Sequence, residues 1–366
     1  MRPRPSVTVA LGLLLTGILV GCTAPAPSGE HTSAVTGDPT VPLDELRILS
    51  DPRSWVGEST AVLADAAIPT PAQAPAQSLP ATVTSRDLTG DTPVTVDSTD
   101  RVLAMDISGS IAATVFGLGL GDSVVGRDVS TTFPQAADLP LVTAGSHTVN
   151  SEAILALRPT VLITDGSIGP IDVVLQLREA GIPVVFVDTD PTIEGVGELA
   201  RQVAAALGAP AAGEQLAADL VSGIEAKVSE IASIAPSADP LRMMFLYLRG
   251  TSGIYYLFGE ESGADVLIGA LGGADVAAEI GLEGMRPMTD EAVVAANPDL
   301  ILVMTDGIAS VGGVDGLLES TPAIALTAAG QNRRFVDMDD GQVLSFGPRT
   351  ADVLDALARA IYAPGQ

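Results

Sequence analysis

The sequence predicts an α/β protein of two lobes joined by a single long helix. Three observations carry that expectation. Strands and helices alternate from about residue 100 onward, an amphipathic stretch from Ile193 to Ile234 breaks the alternation, and the segments on either side of it echo one another. Short apolar runs alternating with helical periods are the mark of parallel sheets covered by helices.

Taken in order, Arg2 and Arg4 precede an apolar run from Val7 to Val20 that ends in Leu19-Val20-Gly21-Cys22. The run is too short to span a bilayer and reads as a cleaved leader over residues 1–21. Cys22 is the only cysteine in the chain of 366 residues, so no disulfide framework can form. Residues 22–92 are rich in Pro, Ala, Thr and Ser, as in Ile68-Pro69-Thr70-Pro71. They show no sustained period and read as a flexible tether. His31 falls in it, which leaves His147 as the only histidine of the expected folded part.

The first lobe, residues 93–190, is expected to begin with a strand at Arg101–Asp106 and an apolar helix at Ile111–Leu120. A strand at Asp122–Gly126 follows, then a helix at Ser151–Leu157 stopped by Pro159. A strand at Thr160–Thr164, a helix at Asp172–Ala180 and a strand at Pro183–Asp188 complete it. Residues 191–236 form the connecting helix, broken only near Gly208-Ala209-Pro210 and Gly213. The second lobe, residues 237–366, reopens with a strand at Arg242–Tyr247. Its Glu291–Pro298, followed by Thr305-Asp306-Gly307, repeats Glu152–Pro159 followed by Thr164-Asp165-Gly166. Two related lobes around a shared cleft are the natural reading.

The net charge of −27 excludes a grip on nucleic-acid phosphates, and no basic stretch offers a local exception. Any anionic ligand must then be met by a few placed arginines. The chain has no Gly-x-Ser-x-Gly elbow, phosphate loop or zinc helix, and it has few players for nucleophile–base chemistry. It reads as a binding protein and not as an enzyme.

Several motifs resemble known families. Leu19-Val20-Gly21-Cys22 resembles the lipobox of bacterial lipoproteins. That implies a diacylated Cys22 holding the protein on the outer face of the cell membrane. Two α/β lobes on one long helix resemble the substrate-binding proteins of iron-siderophore, cobalamin and haem importers, an arrangement of Rossmann-like lobes of the class III periplasmic-binding-protein type. Glu291–Val303, and Asp339-Asp340 through Gly347-Pro348-Arg349, carry that resemblance over about residues 95–366. Narrower motifs resemble the HmuT-type haem-binding lipoproteins of actinobacteria. They are Gly117–Asp128 with Phe133-Pro134, Gly145-Ser146-His147, and Tyr247-Leu248-Arg249-Gly250.

The narrower resemblance implies ferric haem b as the transported ligand, with His147 and Tyr247 as axial ligands and Arg249 supporting the phenolate. The chemistry is consistent. Open α/β sheets bind ligands at the carboxyl ends of their strands, where Tyr247 is expected. A tyrosine ionises only near pH ~10 unless helped, and iron together with a nearby cation provides that help. Taken singly, each of the three residues reads as structural; together they favour a site. For the haem carboxylates the candidates are Arg127, Ser130, Thr131 and Arg286. For the apolar wall they are Tyr255, Tyr256, Phe258 and Met304. The implied partners are haem, the permease and ATPase of an ABC importer and other surface haem-binding proteins, and the protein is expected to be a monomer. In this class a carboxylate on each lobe docks to the permease; the lobe echo suggests Asp172 and Asp315, where the family usually has Glu. A ferric siderophore or cobalamin on the same fold is the alternative.

Overall fold

The computed structural model describes residues 34–35, 40–87, 90–144, 147–250, 254–287 and 289–366. The expected leader, Cys22 and His31 lie outside the described residues.

The first lobe is built on four parallel strands in the spatial order Val184–Phe186, Val161–Thr164, Val102–Met105 and Val124–Gly126. Its apolar runs are continuous because both faces are buried. Val102, Ala104, Val161, Ile163 and Val185 point to one side, where the helices Ser110–Gly117 and Ile193–Ala206 pack. Leu103, Met105, Leu162, Val184 and Phe186 point to the other, against the helices Ser151–Leu157 and Ile171–Glu179. A side-chain period of two divides one run between two cores.

The second lobe repeats the plan. Its sheet runs Ala34–Val35, Ser59–Ala61, Phe335–Met338, Leu300–Met304, Arg242–Arg249, Ile254–Phe258, Met285–Pro287, with Ala274–Asp275 beside Arg242 and Met243. The strands Ile254–Phe258 and Met285–Pro287 are antiparallel to their neighbours, and the rest pair in parallel. Met243, Phe245, Leu300 and Leu302 face the helices Pro210–Ile234 and Thr350–Tyr362, whereas Met244, Leu246, Ile301 and Val303 face the other side.

The lobe echo extends to the ends of the helices. Asn150 and Thr289 each cap a helix by accepting a backbone N–H, from Ala153 and Ala292. Arg158 and Asn297 then close those helices in the left-handed region, at φ 47° and 41°, each immediately before a proline. Proline cannot continue a helix, so both units stop at the same place.

Two expectations are corrected. The expected tether is folded over residues 40–87 and 90–92. Ser59–Ala61 pairs with Val336–Met338, and Leu43, Ala61 and Leu63 are buried in the second-lobe core. Ile68 is buried in the first-lobe core. The strands Ala81–Asp87 and Gly90–Val96 form a hairpin beside the edge strand Val184–Phe186. There the Ser85 hydroxyl accepts from Phe186 N–H and donates to Val184 C=O, satisfying groups that an open edge would leave bare.

The connector is likewise two helices. Ile193–Ala206 and Pro210–Ile234 lie antiparallel, because Gly197 faces Val221 and Ala217 while Gly213 faces Ala204 and Ala200. Pro210 stands in the first turn of the second helix, where a missing N–H costs little. That 25-residue helix is the bridge: Ala212 and Leu216 pack on the first-lobe core, Ile224 and Ile231 on the second. The chain therefore crosses between lobes twice, first between Leu63 and Ile68 and again along this helix.

Candidate functional site

The site forms where loops at the carboxyl ends of the two sheets approach one another. On the first lobe, the strand Val102–Met105 ends in Asp106 and the strand Val124–Gly126 leads to Asp128, and both carboxylates are fully buried. Asp106 accepts from the backbone N–H groups of Ser110 and Ile111 and from the Ser108 and Ser110 hydroxyls. Asp128 accepts from Asp106 N–H and from the N–H and hydroxyl of Thr131. Burial, and then the charge of Asp106, pushes the Asp128 carboxyl up to about 7. Gly109, at φ 71°, permits the close approach of this loop, since a Cβ there would lie 2.6 Å from the Ser130 carbonyl oxygen. The result is a pinned loop that presents Ser130.

Ser130 meets His147. Their Oγ and Nε2 lie 3.3 Å apart, with His147 half-buried in the turn between Thr143–Ala144 and Thr148–Val149. Burial, and then the positive charge of Arg249, lowers the His147 pKa. That second cause is informative, because Arg249 belongs to the other lobe. The neutral imidazole, the form that can donate a lone pair to a metal, is favoured.

On the second lobe, Tyr247 and Arg249 are two apart on the strand Arg242–Arg249 and so share a face. The Arg249 Cζ stands 4.4 Å from the centre of the Tyr247 ring, and that ring stacks on Phe258 at 5.5 Å and 16°. Arg249 donates to the Leu248 C=O at 2.8 Å and to Asp340 Oδ2 at 3.1 Å. Asp340 is fixed in turn by accepting from Asp306 N–H at 2.8 Å. His147, Arg249 and Tyr247 thus face one cleft from two lobes.

The other sequence candidates scatter. Arg127 is half-buried beside the site, and Nη1 donates to the Asp128 C=O at 3.3 Å. Thr131 is 1 % exposed with its hydroxyl given to Asp128, so it holds the loop and is closed to a ligand. Arg286 is exposed on the strand Met285–Pro287, with the same spacing before its helix that His147 has in the first lobe. Phe258 is 6 % exposed and belongs to the core, while Tyr255, Tyr256 and Met304 are half-buried. Asp172 is exposed in the first turn of its helix. Asp315 is instead held by Arg333 at 2.6 Å, an arginine that also pairs with Glu58 at 2.5 Å.

Sequence reasoning missed Asp128 and Asp340 as parts of the site. Both lie inside quoted motifs, but only the fold brings their partners to them. It also missed Ile107 and Val129, which are 53 % and 37 % exposed on the loops that flank Ser130. Among the described residues, no group of three or more His, Cys, Asp or Glu side chains could hold a bare metal ion, and no helix is long and apolar enough to cross a membrane.

Comparison with known proteins agrees with this architecture. The chain is similar to the solved structure of heme binding protein HmuT, at 40 % identity and a TM-score of 0.80, over 86 % of this chain and 100 % of that one. Structures of the same protein with one histidine, one tyrosine or one arginine changed to alanine match equally well. It is also similar to the periplasmic heme-binding protein RhuT of Roseiflexus sp. RS-1, at 38 % identity and a TM-score of 0.67, over 74 % of this chain and 100 % of that one. A curated relative, the ABC transporter substrate-binding lipoprotein YvrC of Bacillus subtilis, is 28 % identical over 68 % of this chain and 76 % of its own. These relatives are binding proteins and not enzymes. The periplasmic binding protein family model matches residues 107–341. With two α/β lobes, a bridging helix and a cleft between them, the chain belongs to the periplasmic binding protein family.

Proposed function

We propose that this protein binds ferric haem between its lobes, with His147 and Tyr247 as axial ligands, and delivers it to an ABC importer. One observation carries the reading: Arg249 stands over the Tyr247 ring while its charge acts on His147 of the opposite lobe. A phenolate suits ferric iron, the cation favours its ionised form, and a neutral imidazole supplies the second bond. The haem-binding relatives support the ligand class. The HmuT variants support the residues, since the altered tyrosine and arginine are two apart there as Tyr247 and Arg249 are here. Arg127, Ser130 and Arg286 are the groups left to meet the haem carboxylates, and Ile107 and Val129 offer an apolar surface beside them.

Delivery calls for a surface repeated on both lobes. Glu152 and Glu291 are exposed at equivalent positions of the two echoing helices, which fits docking better than Asp315, already paired with Arg333. A lipid on Cys22 would keep the protein at the outer face of the membrane, as the name of the YvrC relative suggests by likeness.

The test is a visible absorption titration of the chain from residue 23 with hemin, beside His147→Ala and Tyr247→Ala. A saturable Soret band at one haem per chain, altered by each substitution and most by Tyr247→Ala, is expected. A band indifferent to both substitutions refutes the ligand assignment, and the absence of a saturable band refutes haem as cargo.

A further inference from the structure

The cation over Tyr247 does not hold itself there. Arginine has a long, flexible side chain, and fixing it in one pose has an entropic cost that some partner must offset. Leu248 C=O offers a local acceptor, but it lies on the same strand and cannot fix the direction of the far end of the fork. The long-range partner is Asp340, 91 positions away, with its Oδ2 3.1 Å from Arg249 Nη2. Asp340 is itself committed, because its Oδ1 accepts from Asp306 N–H at 2.8 Å. Gly307 leaves room for the arrangement; a Cβ there would lie 3.2 Å from the Leu248 carbonyl oxygen and 3.5 Å from Arg249 Nη1.

A ligand with two carboxylates would compete for this arginine. Haem propionates prefer a guanidinium as a bidentate partner, and a freed Arg249 would turn toward one of them and away from the phenol. We propose that Asp340 is a positioning residue that holds the Arg249 guanidinium over the Tyr247 ring and keeps it from pairing with the haem carboxylates. Asp340 acts through Arg249 and does not touch the ligand. The inference rests on the haem reading above and on Tyr247 as a ligand.

The position of Asp340 in the chain adds to the argument. The next residue, Gly341, packs on the first lobe, where a Cβ would meet Thr132 Oγ1 at 2.3 Å, and its carbonyl accepts from Arg349. Arg349 in turn lies over the ring of Phe133 at 5.8 Å. The carboxylate that holds Arg249 is therefore next in the chain to a contact between the lobes at Thr132, two residues from Ser130, which meets His147. The group that fixes the tyrosine side of the cleft is braced against the histidine side.

The experiment compares wild type, Asp340→Asn, Asp340→Glu, Arg249→Ala and the Asp340→Asn/Arg249→Ala double variant, each loaded with one equivalent of hemin. The readouts are the phenolate-to-iron charge-transfer band and the rate of haem loss to an excess of a haem scavenger. Asp340→Asn is expected to weaken the band and speed release about tenfold, the scale of one hydrogen bond to a charged group. Asp340→Glu restores most of the band, and Asp340→Asn adds nothing once Arg249 is alanine. An unchanged band in Asp340→Asn, or an equal further loss in the Arg249→Ala background, overturns the proposal while wild-type binding keeps the haem reading intact. Failure of the wild type to bind hemin overturns both.

Discussion

The most consequential expectation concerns residues 40–92. A chain beginning at Pro93 lacks the strand Ser59–Ala61 and most of the hairpin, and it loses Leu43, Leu63 and Ile68, which are 0 %, 7 % and 2 % exposed. Burying one such aliphatic side chain contributes about 1.5–3 kcal/mol, so the three together contribute roughly 5–9 kcal/mol. A domain's whole stability is about 5–15 kcal/mol. Arg334, fully buried, also loses its Ser59 hydroxyl partner. Three chains, beginning at Thr23, Thr40 and Pro93, are to be melted while circular dichroism follows the transition. The first two are expected to melt together, and the third to show no cooperative transition. A cooperative melt of the Pro93 chain near that of the others would refute the claim that this segment is part of both cores.

Three further outcomes follow from the site. Burial and Arg249 together hold His147 below its ordinary value, so in the ligand-free protein Arg249→Ala should raise the midpoint of its imidazole titration by NMR; an unmoved midpoint would mean the charge does not reach it. The Asp128 carboxyl, raised to about 7, keeps its proton in the folded state where the unfolded chain has lost it. Stability from this group is therefore fully present below the unfolded carboxyl value of about 4 and is lost progressively as pH rises through about 7. Asp128→Asn should flatten that slope in melts run from pH 5 to 8, and an identical slope would contradict it. Finally, Glu152→Ala/Glu291→Ala should cut cellular haem uptake by about tenfold or more, the scale of an interfacial charge pair, with haem affinity intact. Asp172→Ala/Asp315→Ala should do less, and the reverse ranking would restore the aspartates as the docking pair.

The parts of the fold that could be read in the sequence are those whose apolar residues keep a period. The echoing units at Glu152–Pro159 and Glu291–Pro298 announce themselves by helix spacing and a terminal proline. The N-terminal segment does not, because Leu43, Ala61, Leu63 and Ile68 are single anchors spaced along proline-rich chain and reach two different cores. The connector was legible as helical, but its turn was not: Gly208-Ala209-Pro210 marks a reversal that looks like a mere interruption when the partner helix is unseen. At the site, Tyr247, Arg249 and His147 stood out through their local motifs. Asp340 did not, because its role depends on a strand two places along the sheet from Tyr247. Thr131 read as an available hydroxyl, and only the burial of Asp128 shows where that hydroxyl is spent.

The double crossing between lobes has a consequence for how this molecule can be divided. A cut in the turn at Leu207–Ala209 would not release two independent modules. The N-terminal fragment would keep Ser59–Ala61 as a strand inserted in the other fragment's sheet, with Ser59 held by Arg334. The two pieces are therefore built to find each other again, and the protein is a natural candidate for a split reporter whose reassembly restores the cleft between the lobes.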